Sequence, residues 1–382
     1  MTSPSVRSTV WAGTMRGAPG DAGVVVAHRD NPPPSVGAHL VTRRAREDAE
    51  DRTLARGATR ARGGGNRARP EEPDELRTCF ERDRDRILHS TAFRRLAGKT
   101  QVFLFPQDHQ RTRLTHALEV AQVATAVSRA VGLNTALTEA IALGHDCGHG
   151  PGGHASEDAF DPMVPGGYNH ALWGADVALA GLNLCQETLD GIRHHSWSLP
   201  TPLTPEGVVV SWADRCAYSA HDFEDAVAAG VVRAGDLPPS VASVVGTSRS
   251  SQLRTFITAL TSCITETGTV GMYPEAAEAL AALRAFNYAR IYTRPESVAQ
   301  GDTVIALLRA LVDFYVSRPD LLPPPPSAPT APVLRAVAYV SGMTDRYAFE
   351  TAIAQLGWRT DRLPRGVDVP RSPGAATPAG MS

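Results

Sequence analysis

The sequence has little of what marks secreted, membrane-spanning or zinc-thiolate proteins. Its five cysteines are spread over 382 residues and form no Cys-x-x-Cys pair, which argues against a disulfide framework and against a thiolate zinc site. It has no apolar run long enough to span a bilayer, and the apolar stretch 24–27 is too short for a signal peptide. We therefore expect a cytoplasmic protein without a membrane partner.

The chain also lacks an excess of charge of either sign. It carries 38 basic and 40 acidic residues, a formal net charge of −2, so the molecule as a whole has no electrostatic bias towards nucleic acid or membranes. Any site for an anion must therefore be built locally. The length and the hydrophobic content of 42% are sufficient for one large domain or two smaller ones.

Residues 1–70 are dense in Gly, Pro, Ser and Arg. Such a segment buries too little apolar surface to offset the entropy of ordering it, so we predict a disordered extension. The alternative is a basic arm, with the arginines of 60–69, that makes weak contact with nucleic acid or another polyanion. Residues 357–382 have a similar composition without the charge, and we predict a disordered tail there.

Residues 71–356 have the periodicity of α-helices. The helical stretches are 113–131, 137–147, 206–229, 276–292 and 332–356. We interpret 276–292 as the last long helix before the proline-rich break at 319–332. No alternation of apolar and polar residues is long enough to predict a strand. The sequence therefore predicts an all-α fold with a single large helical domain.

The histidines are clustered along the chain. Nine of the twelve lie between His109 and His221, far more than an even spread would put there. His116 lies on the apolar stripe of the helix 113–131, and His145 lies at the end of the helix 137–147. A single histidine on an apolar helix face is more often a hydrogen-bonded core residue than a ligand, but the clustering indicates a functional site.

Two aspartates accompany these histidines in segments that we predict to be buried. Asp146 follows His145 directly, and Asp214 lies on the apolar side of the helix 206–229. A buried carboxylate is costly unless it is paired or binds a cation. Mixed imidazole and carboxylate ligands suit manganese, magnesium, iron, cobalt or zinc. We therefore predict a divalent metal site with four ligands: His116, His145, Asp146 and Asp214.

The order of these ligands, H…HD…D, resembles the signature of the HD phosphohydrolases. The flanking motifs resemble one branch of that superfamily, the deoxyguanosine triphosphate triphosphohydrolases. These motifs are residues 80–90, 93–101, 111–116, 218–222 and 342–347. The resemblance covers about residues 71–356, with an HD core at about 113–222. It implies an all-α HD fold, a divalent metal and a homo-oligomer, and it implies hydrolysis of deoxynucleoside triphosphates at the α-phosphate to a deoxynucleoside and inorganic triphosphate.

The same resemblance assigns roles to residues around the metal. His154 is the predicted proton-transfer residue and Glu157 the carboxylate that orients it, because the two lie three residues apart. His149 belongs to the same catalytic set, and it and His170 are candidates for phosphate contacts. A structural role for His149 and His170 is the alternative.

Further residues are predicted to bind the substrate. Arg113 and Arg215 stand close to metal ligands in sequence and can bind phosphate with their guanidinium groups; the alternative is that they are solvated helix arginines. The same resemblance assigns the nucleoside end to Gln101, Tyr218, Asp222 and Tyr292. A tyrosine ring against C2′ leaves no room for a ribose hydroxyl, and a carboxylate can accept the 3′ hydroxyl. For Tyr292, an interior helix position is the alternative.

The chain departs from the branch at two places. The residue after the proline of the glycine-rich segment is usually aromatic there, whereas this chain has Gly152. At the entrance of the following helix the branch commonly has a carboxylate, whereas this chain has 168–170 as Tyr-Asn-His. Two other functions are kept as alternatives. One is an HD nucleotidase or phosphodiesterase acting on other nucleotides, and the other is a non-catalytic binder of nucleotides or nucleic acid.

Overall fold

The computed structural model describes residues 5–15, 17–20, 23–28, 36–106, 109–324 and 331–364. Nearly all of the regular structure in these ranges is helical, which confirms the all-α prediction. The chain divides into two units, Met1–Val41 and Thr42–Ser382. None of the helices in the described ranges is both long enough and apolar enough to cross a membrane.

The first unit contains one helix, α1 (Val6–Thr14), and two short strands, β1 (Ala18–Pro19) and β2 (Val25–Val26). The strands pair antiparallel, with Ala18 opposite Val26. The predicted disorder of this segment falls partly on residues 1–4, 16, 21–22 and 29–35, which lie outside the described residues.

The second unit is built from helices of very different length. The α-helices are α2 (Arg43–Thr53), α3 (Cys79–Leu88), α4 (Thr91–Arg95), α5 (Arg113–Val131), α6 (Thr135–Gly144), α7 (His154–Phe160), α8 (His170–Trp173), α9 (Gln186–Arg193), α10 (Pro205–Ala228), α11 (Pro239–Val245), α12 (Arg249–Thr267), α13 (Pro274–Asn287), α14 (Pro295–Ser317), α15 (Pro332–Ser341) and α16 (Asp345–Leu356). Short π-helical turns follow α8 and α13, at Gly174–Ala178 and Tyr288–Tyr292.

The larger of two hydrophobic cores is formed around α5, α6 and α10, which pack on one another and on α3, α9 and α12. Each central helix begins at a residue whose side chain caps it: Thr112 before α5, Asn134 before α6 and Thr204 before α10. The observed α5 has the predicted bounds, and α10 differs from its prediction by one residue at each end. These three helices carry the predicted metal ligands.

The smaller core lies between α7 and the helices α14, α15 and α16. The sequence interpretation missed α14, although its buried residues Val304, Leu308, Leu311 and Tyr315 recur at three- and four-residue steps. The prediction that 276–292 is the last long helix before the proline-rich break is therefore wrong. The predicted stretch 332–356 is two helices, because the chain turns between Ser341 and Asp345.

The predicted boundary at residue 70 also differs from the structure. Residues 43–53 form α2, and α2 and the arginine-rich segment that follows belong to the second unit. Arg60 donates to the backbone carbonyl of Ala58 at 2.6 Å, so this guanidinium is not presented to a polyanion. The end of the chain differs less: Thr360–Arg362 form a short 3-10 turn, and the predicted tail from residue 365 lies outside the described residues.

Arg67 explains why composition misjudged this segment. Its Nη1 lies 2.5 Å from Asp83 Oδ1, and both side chains are fully buried. The other Asp83 oxygen accepts from the Cys185 backbone N–H at 2.8 Å and from the Thr188 hydroxyl at 2.7 Å. This buried ion pair is therefore one of the polar contacts that fix the segment, together with those of Thr59 with Glu206.

We expect Arg67→Ala to lower the free energy of unfolding by about 3–5 kcal/mol, because it leaves the Asp83 carboxylate buried without its counter-charge. Urea denaturation of the full chain measures this. The matched control is Arg62→Ala, because the Arg62 side chain is 71% exposed and its ion pair with Asp51 contributes little. Equal stability of the two variants would contradict the structural role of Arg67.

Candidate active site

The four predicted metal ligands converge at one point inside the larger core. The closest approach is 3.1 Å, between His116 Nε2 and Asp214 Oδ1. His145 Nε2 lies 3.6 Å from the same oxygen and 3.4 Å from Asp146 Oδ1. Neighbouring ligands around an ion with bonds near 2.1 Å are separated by about 3.0–3.5 Å. His116, His145 and Asp214 therefore have the spacing of ligands that share one cation, and Asp146 adjoins this group through His145.

The helices bring these side chains together for local reasons. His116 lies in the first turn of α5, Asp214 lies near the middle of α10, and α6 ends at Gly144, so that His145 and Asp146 turn inward at its carboxyl end. The turn after them needs glycine at 148, because a Cβ there would lie 2.0 Å from the carbonyl oxygen of His170. The short His-Asp turn and its glycine thus form one packing unit.

The hydrogen bonds of His145 fit a metal ligand. Its Nδ1 lies 2.6 Å from the carbonyl oxygen of Ala142, which can only accept, so Nδ1 carries the hydrogen. The lone pair of Nε2 then faces Asp146 and Asp214, and this fully buried nitrogen has no hydrogen-bond partner among the described residues. A backbone carbonyl that fixes the tautomer of a histidine in this way is typical of metal sites.

The electrostatics of the cluster lead to the same conclusion. Burial alone would lower the pKa of His145, but the carboxylates of Asp146 and Asp214 outweigh it and raise that pKa to about 9. Burial alone would likewise raise the pKa of Asp146, but Arg113 and His145 hold it well below its usual range. The two ionised carboxylates make the cluster attractive to a cation.

Arg113 is placed between the cluster and the open space above it. It is almost fully buried, and its Nη1 donates to Asp146 Oδ2 at 2.7 Å. Its Nε and Nη2 are buried without hydrogen-bond partners in the part of the chain that the structure describes. A buried guanidinium with two free donors is costly unless an anion completes it. The alternative of a solvated helix arginine does not hold for Arg113.

A cavity of about 570 Å³ opens above the cluster. It is lined by nearly all the residues that the sequence assigned to the site: Gln101, Arg113, His116, Asp146, His149, His154, His170, Asp214, Arg215, Tyr218, Asp222 and Tyr292. His145 lies beneath the floor of this cavity. His149, His154 and His170 form one side of it, which we call the histidine wall, and Glu157 lies behind them.

The histidine wall differs from the prediction in one respect. Glu157 was expected to orient His154, but its Oε1 makes a very short contact with His170 Nδ1 and also accepts from the backbone N–H of His170, at 3.3 Å. The His149 and His170 rings stack with centroids 3.8 Å apart, and His154 meets the edge of His149. Asn169, at the position where a carboxylate was expected, caps α8 and so fixes His170.

His154 opens onto the cavity, yet protein is packed closely around it. Although His154 is exposed to the cavity, the surrounding protein and the positive charge of Arg113 lower its pKa to about 4. The ring is therefore neutral near pH 7, and it has a nitrogen lone pair that can accept a proton.

His195 is a site residue that the sequence interpretation missed. Its Nδ1 donates to the carbonyl of Ile192 at 2.8 Å, and its Nε2 lies 3.1 Å from Nε2 of His170. Because His195 Nε2 can then only accept, His170 must donate from Nε2 while its Nδ1 donates to Glu157. The only signal for His195 in the sequence was its position between His109 and His221, where the histidines are clustered.

The nucleoside residues of the prediction form a second polar cluster in the cavity. The hydroxyl of Tyr292 donates to Asp222 Oδ2 at 2.5 Å, and Asp222 Oδ1 is buried without a hydrogen-bond partner among the described residues. Burial raises the pKa of Asp222 to about 8. Gln101 Oε1 is also buried and unpartnered in the described structure. Tyr218 accepts a hydrogen bond from Arg284 Nε at 2.7 Å.

The glycine-rich segment is tied to the last helix of the described chain. Gly152 has a φ of +75°, and a Cβ on it would lie 2.5 Å from a methyl carbon of Val304. Val304 of α14 thus occupies the space that a side chain at position 152 would need. The Gly152 N–H donates to Asp345 Oδ1 at 2.8 Å, and the Thr100 N–H donates to Asp345 Oδ2 at 3.0 Å. Asp345 therefore positions both Gln101 and the loop that leads to His154.

Comparison with known proteins agrees with this geometry. The HD-domain family model matches residues 113–219, and that of the phosphohydrolase-associated domain matches residues 270–353. A protein of Caldanaerobacter subterraneus named deoxyguanosinetriphosphate triphosphohydrolase-like protein is 40% identical over 320 residues, covering 81% of this chain and 94% of that protein. A protein of Deinococcus radiodurans named deoxyguanosinetriphosphate triphosphohydrolase-like protein 1 is 37% identical over 371 residues, covering 82% and 98%. The chain therefore belongs to the deoxyguanosinetriphosphate triphosphohydrolase-like family of HD-domain phosphohydrolases.

Proposed function

We propose that this protein hydrolyses deoxynucleoside triphosphates at the α-phosphate, giving a deoxynucleoside and inorganic triphosphate. The proposal rests on one observation, that two features occur together in the same cavity. Its floor is a buried cluster of two imidazoles and two carboxylates with the spacing of metal ligands. Its walls carry the guanidinium groups of Arg113, Arg215 and Arg284. A polyphosphate with a divalent cation has the charge that complements both.

A divalent cation would be held by His116, His145, Asp146 and Asp214. At such a site it supplies polarisation of a phosphoryl oxygen and a lower pKa for water. The chain contributes the fixed tautomer of His145 and the orientation of Asp146, which Arg113 holds from the cavity side. Manganese, magnesium, iron, cobalt and zinc all accept these ligand types.

The three arginines are suited to bind different phosphates of the substrate. Arg113 has two buried donors free, so it is suited to the phosphate nearest the ligand cluster. Arg215 directly follows Asp214, one of the proposed ligands, on α10. Arg284 lies on the neighbouring helix α13 and donates a hydrogen bond to Tyr218. Guanidinium groups bind phosphate oxygens through paired N–H donors.

Proton transfer is assigned to His154, the neutral ring that opens onto the cavity. The reaction adds water at the α-phosphorus, breaks the bond to O5′ and puts a proton on the departing oxygen. His154 can accept the proton of the attacking water and return it to O5′. Glu157 acts on this step through the stacked pair His149 and His170 rather than by contact with His154.

The sugar end is assigned to Tyr218, Asp222, Tyr292 and Gln101. The unpartnered oxygens of Asp222 and Gln101 need hydrogen-bond donors, and the 3′ hydroxyl of a deoxyribose supplies one. The Tyr218 ring, fixed by Arg284, can lie against C2′ and exclude a ribose. The identity of the base is not part of this proposal.

Binding of a divalent cation is expected to raise the midpoint of thermal unfolding. At a free metal concentration of 100 times the dissociation constant, the stabilisation is about 2.7 kcal/mol. The measurement is differential scanning fluorimetry with each of the five metals after treatment with a chelator. His145→Ala should abolish the shift, whereas His89→Ala, an exposed histidine outside the cavity, should retain it. A shift of the same size in His145→Ala would exclude the proposed ligands.

Product analysis tests the position of cleavage. The full chain is incubated with each of the four deoxynucleoside triphosphates and manganese, and the products are separated by ion-exchange chromatography. We expect a deoxynucleoside and inorganic triphosphate in equal amounts, and no product from His145→Ala. Pyrophosphate or single phosphate as the product would refute cleavage at the α-phosphate. Activity on monophosphates or cyclic nucleotides alone would favour the nucleotidase alternative.

Removal of the Tyr218 ring is expected to relax the choice of sugar. Tyr218→Ala should reduce the ratio of kcat/KM for a deoxynucleotide to that for the matching ribonucleotide by about tenfold, because it makes room for a 2′ hydroxyl. Tyr218→Phe keeps the ring and loses only the hydroxyl that accepts from Arg284, so it should keep the ratio. An unchanged ratio in Tyr218→Ala would show that another side chain excludes ribose.

A further inference from the structure

The guanidinium of Arg215 lies over the ring of Trp197, a residue that was not among the predicted site residues. The central carbon of its guanidinium lies 3.6 Å from the centroid of the Trp197 ring, well within the distance of a cation–π interaction. Both side chains line the cavity above the ligand cluster. Trp197 comes from the loop after α9, whereas Arg215 lies on α10, so the contact is tertiary rather than local.

The ring of Trp197 is fixed to the helix that carries Arg215. Its indole N–H donates to the carbonyl of Ser211 at 3.2 Å, and its ring meets Trp212 edge-on, with centroids 4.6 Å apart. The hydroxyl of Ser211 in turn donates to the carbonyl of His195 at 2.6 Å. Ser211 lies one helical turn before Arg215, so the loop is attached to α10 directly beneath the guanidinium.

The guanidinium of Arg215 is half-buried beside the cavity. None of the ion pairs found within the described ranges includes Arg215. An aromatic face holds a guanidinium without using its N–H donors, whereas a carboxylate would engage them. The donors of Arg215 therefore stay available to a ligand in the cavity.

We propose that Trp197 is a positioning residue, which holds the guanidinium of Arg215 in the orientation that binds the polyphosphate chain of the substrate. This inference rests on the proposed function, because it requires that a polyphosphate enters the cavity. It assigns to Trp197 no contact with the reacting atoms. Its effect is on the affinity for phosphate and passes through Arg215.

A double-mutant cycle tests this coupling. The affinity of the full chain for inorganic triphosphate, in the presence of magnesium, is measured by isothermal titration calorimetry. Trp197→Leu should weaken binding about fivefold, the worth of a partly desolvated cation–π contact. In the background of Arg215→Ala the same change should have almost no effect. Trp197→Phe, which keeps an aromatic face, should recover most of the affinity.

The matched control is Trp11→Leu, because Trp11 is 66% exposed and does not line the cavity. It should leave the affinity for inorganic triphosphate unchanged. Binding of an uncharged deoxynucleoside should be the same in Trp197→Leu and the unaltered chain, and circular dichroism shows whether each variant is folded. If Trp197→Leu is unfolded, the comparison of Trp197→Phe with the unaltered chain, in both Arg215 backgrounds, gives the cycle.

Two results would overturn the proposal. One is a loss of affinity from the Trp197 change that is equally large when Arg215 is already alanine. The other is an affinity that does not respond to Trp197 at all, which includes an unaltered chain that binds no inorganic triphosphate. Hydrolysis of deoxynucleoside triphosphates is measured separately, so a failure of the positioning role is distinguished from a failure of the proposed function.

Discussion

Two carboxylates and two imidazoles are confined in a small volume that is closed to most water. The rest of the structure depends on this constraint. Asp146 and Asp214 remain ionised there only because positive groups surround them. Arg113 supplies one such charge from the side of the cavity, and His116 Nε2 lies 3.1 Å from Asp214 Oδ1. The tight packing of α5, α6 and α10 holds these side chains close together, at a spacing that could hold a cation.

The part of the site that could be predicted from sequence is the part that follows helical periodicity. His116 and Asp214 lie on apolar stripes of long helices, and their burial follows from the pattern of the neighbouring residues. The pairing of Glu157 with His170 could not be read in this way, because the two residues belong to separate short helices joined by a turn. His195 and Trp197 come from a loop, where no periodicity indicates which side chains turn inward.

The N-terminal boundary was misjudged for a different physical reason. Composition measures how much apolar surface a segment can bury, and by that measure residues 42–70 should not fold. Arg67 instead enters the structure through its ion pair with Asp83 and three hydrogen bonds to backbone carbonyls. Specific polar contacts of this kind depend on residues far along the chain, such as Asn183. No pattern in the sequence near Arg67 therefore indicates them.

The contact of Asp345 with Thr100 and Gly152 has a consequence for the order in which the site is made. A growing polypeptide emerges from the ribosome from its N-terminal end, so the ligands at 116, 145 and 214 are exposed to the cell before α16 has been synthesised. Until Asp345 arrives, the loop that leads to His154 and the segment before Gln101 each lack a contact that the folded chain has. The arrangement of the residues around His154 is therefore completed only after α16 has been made.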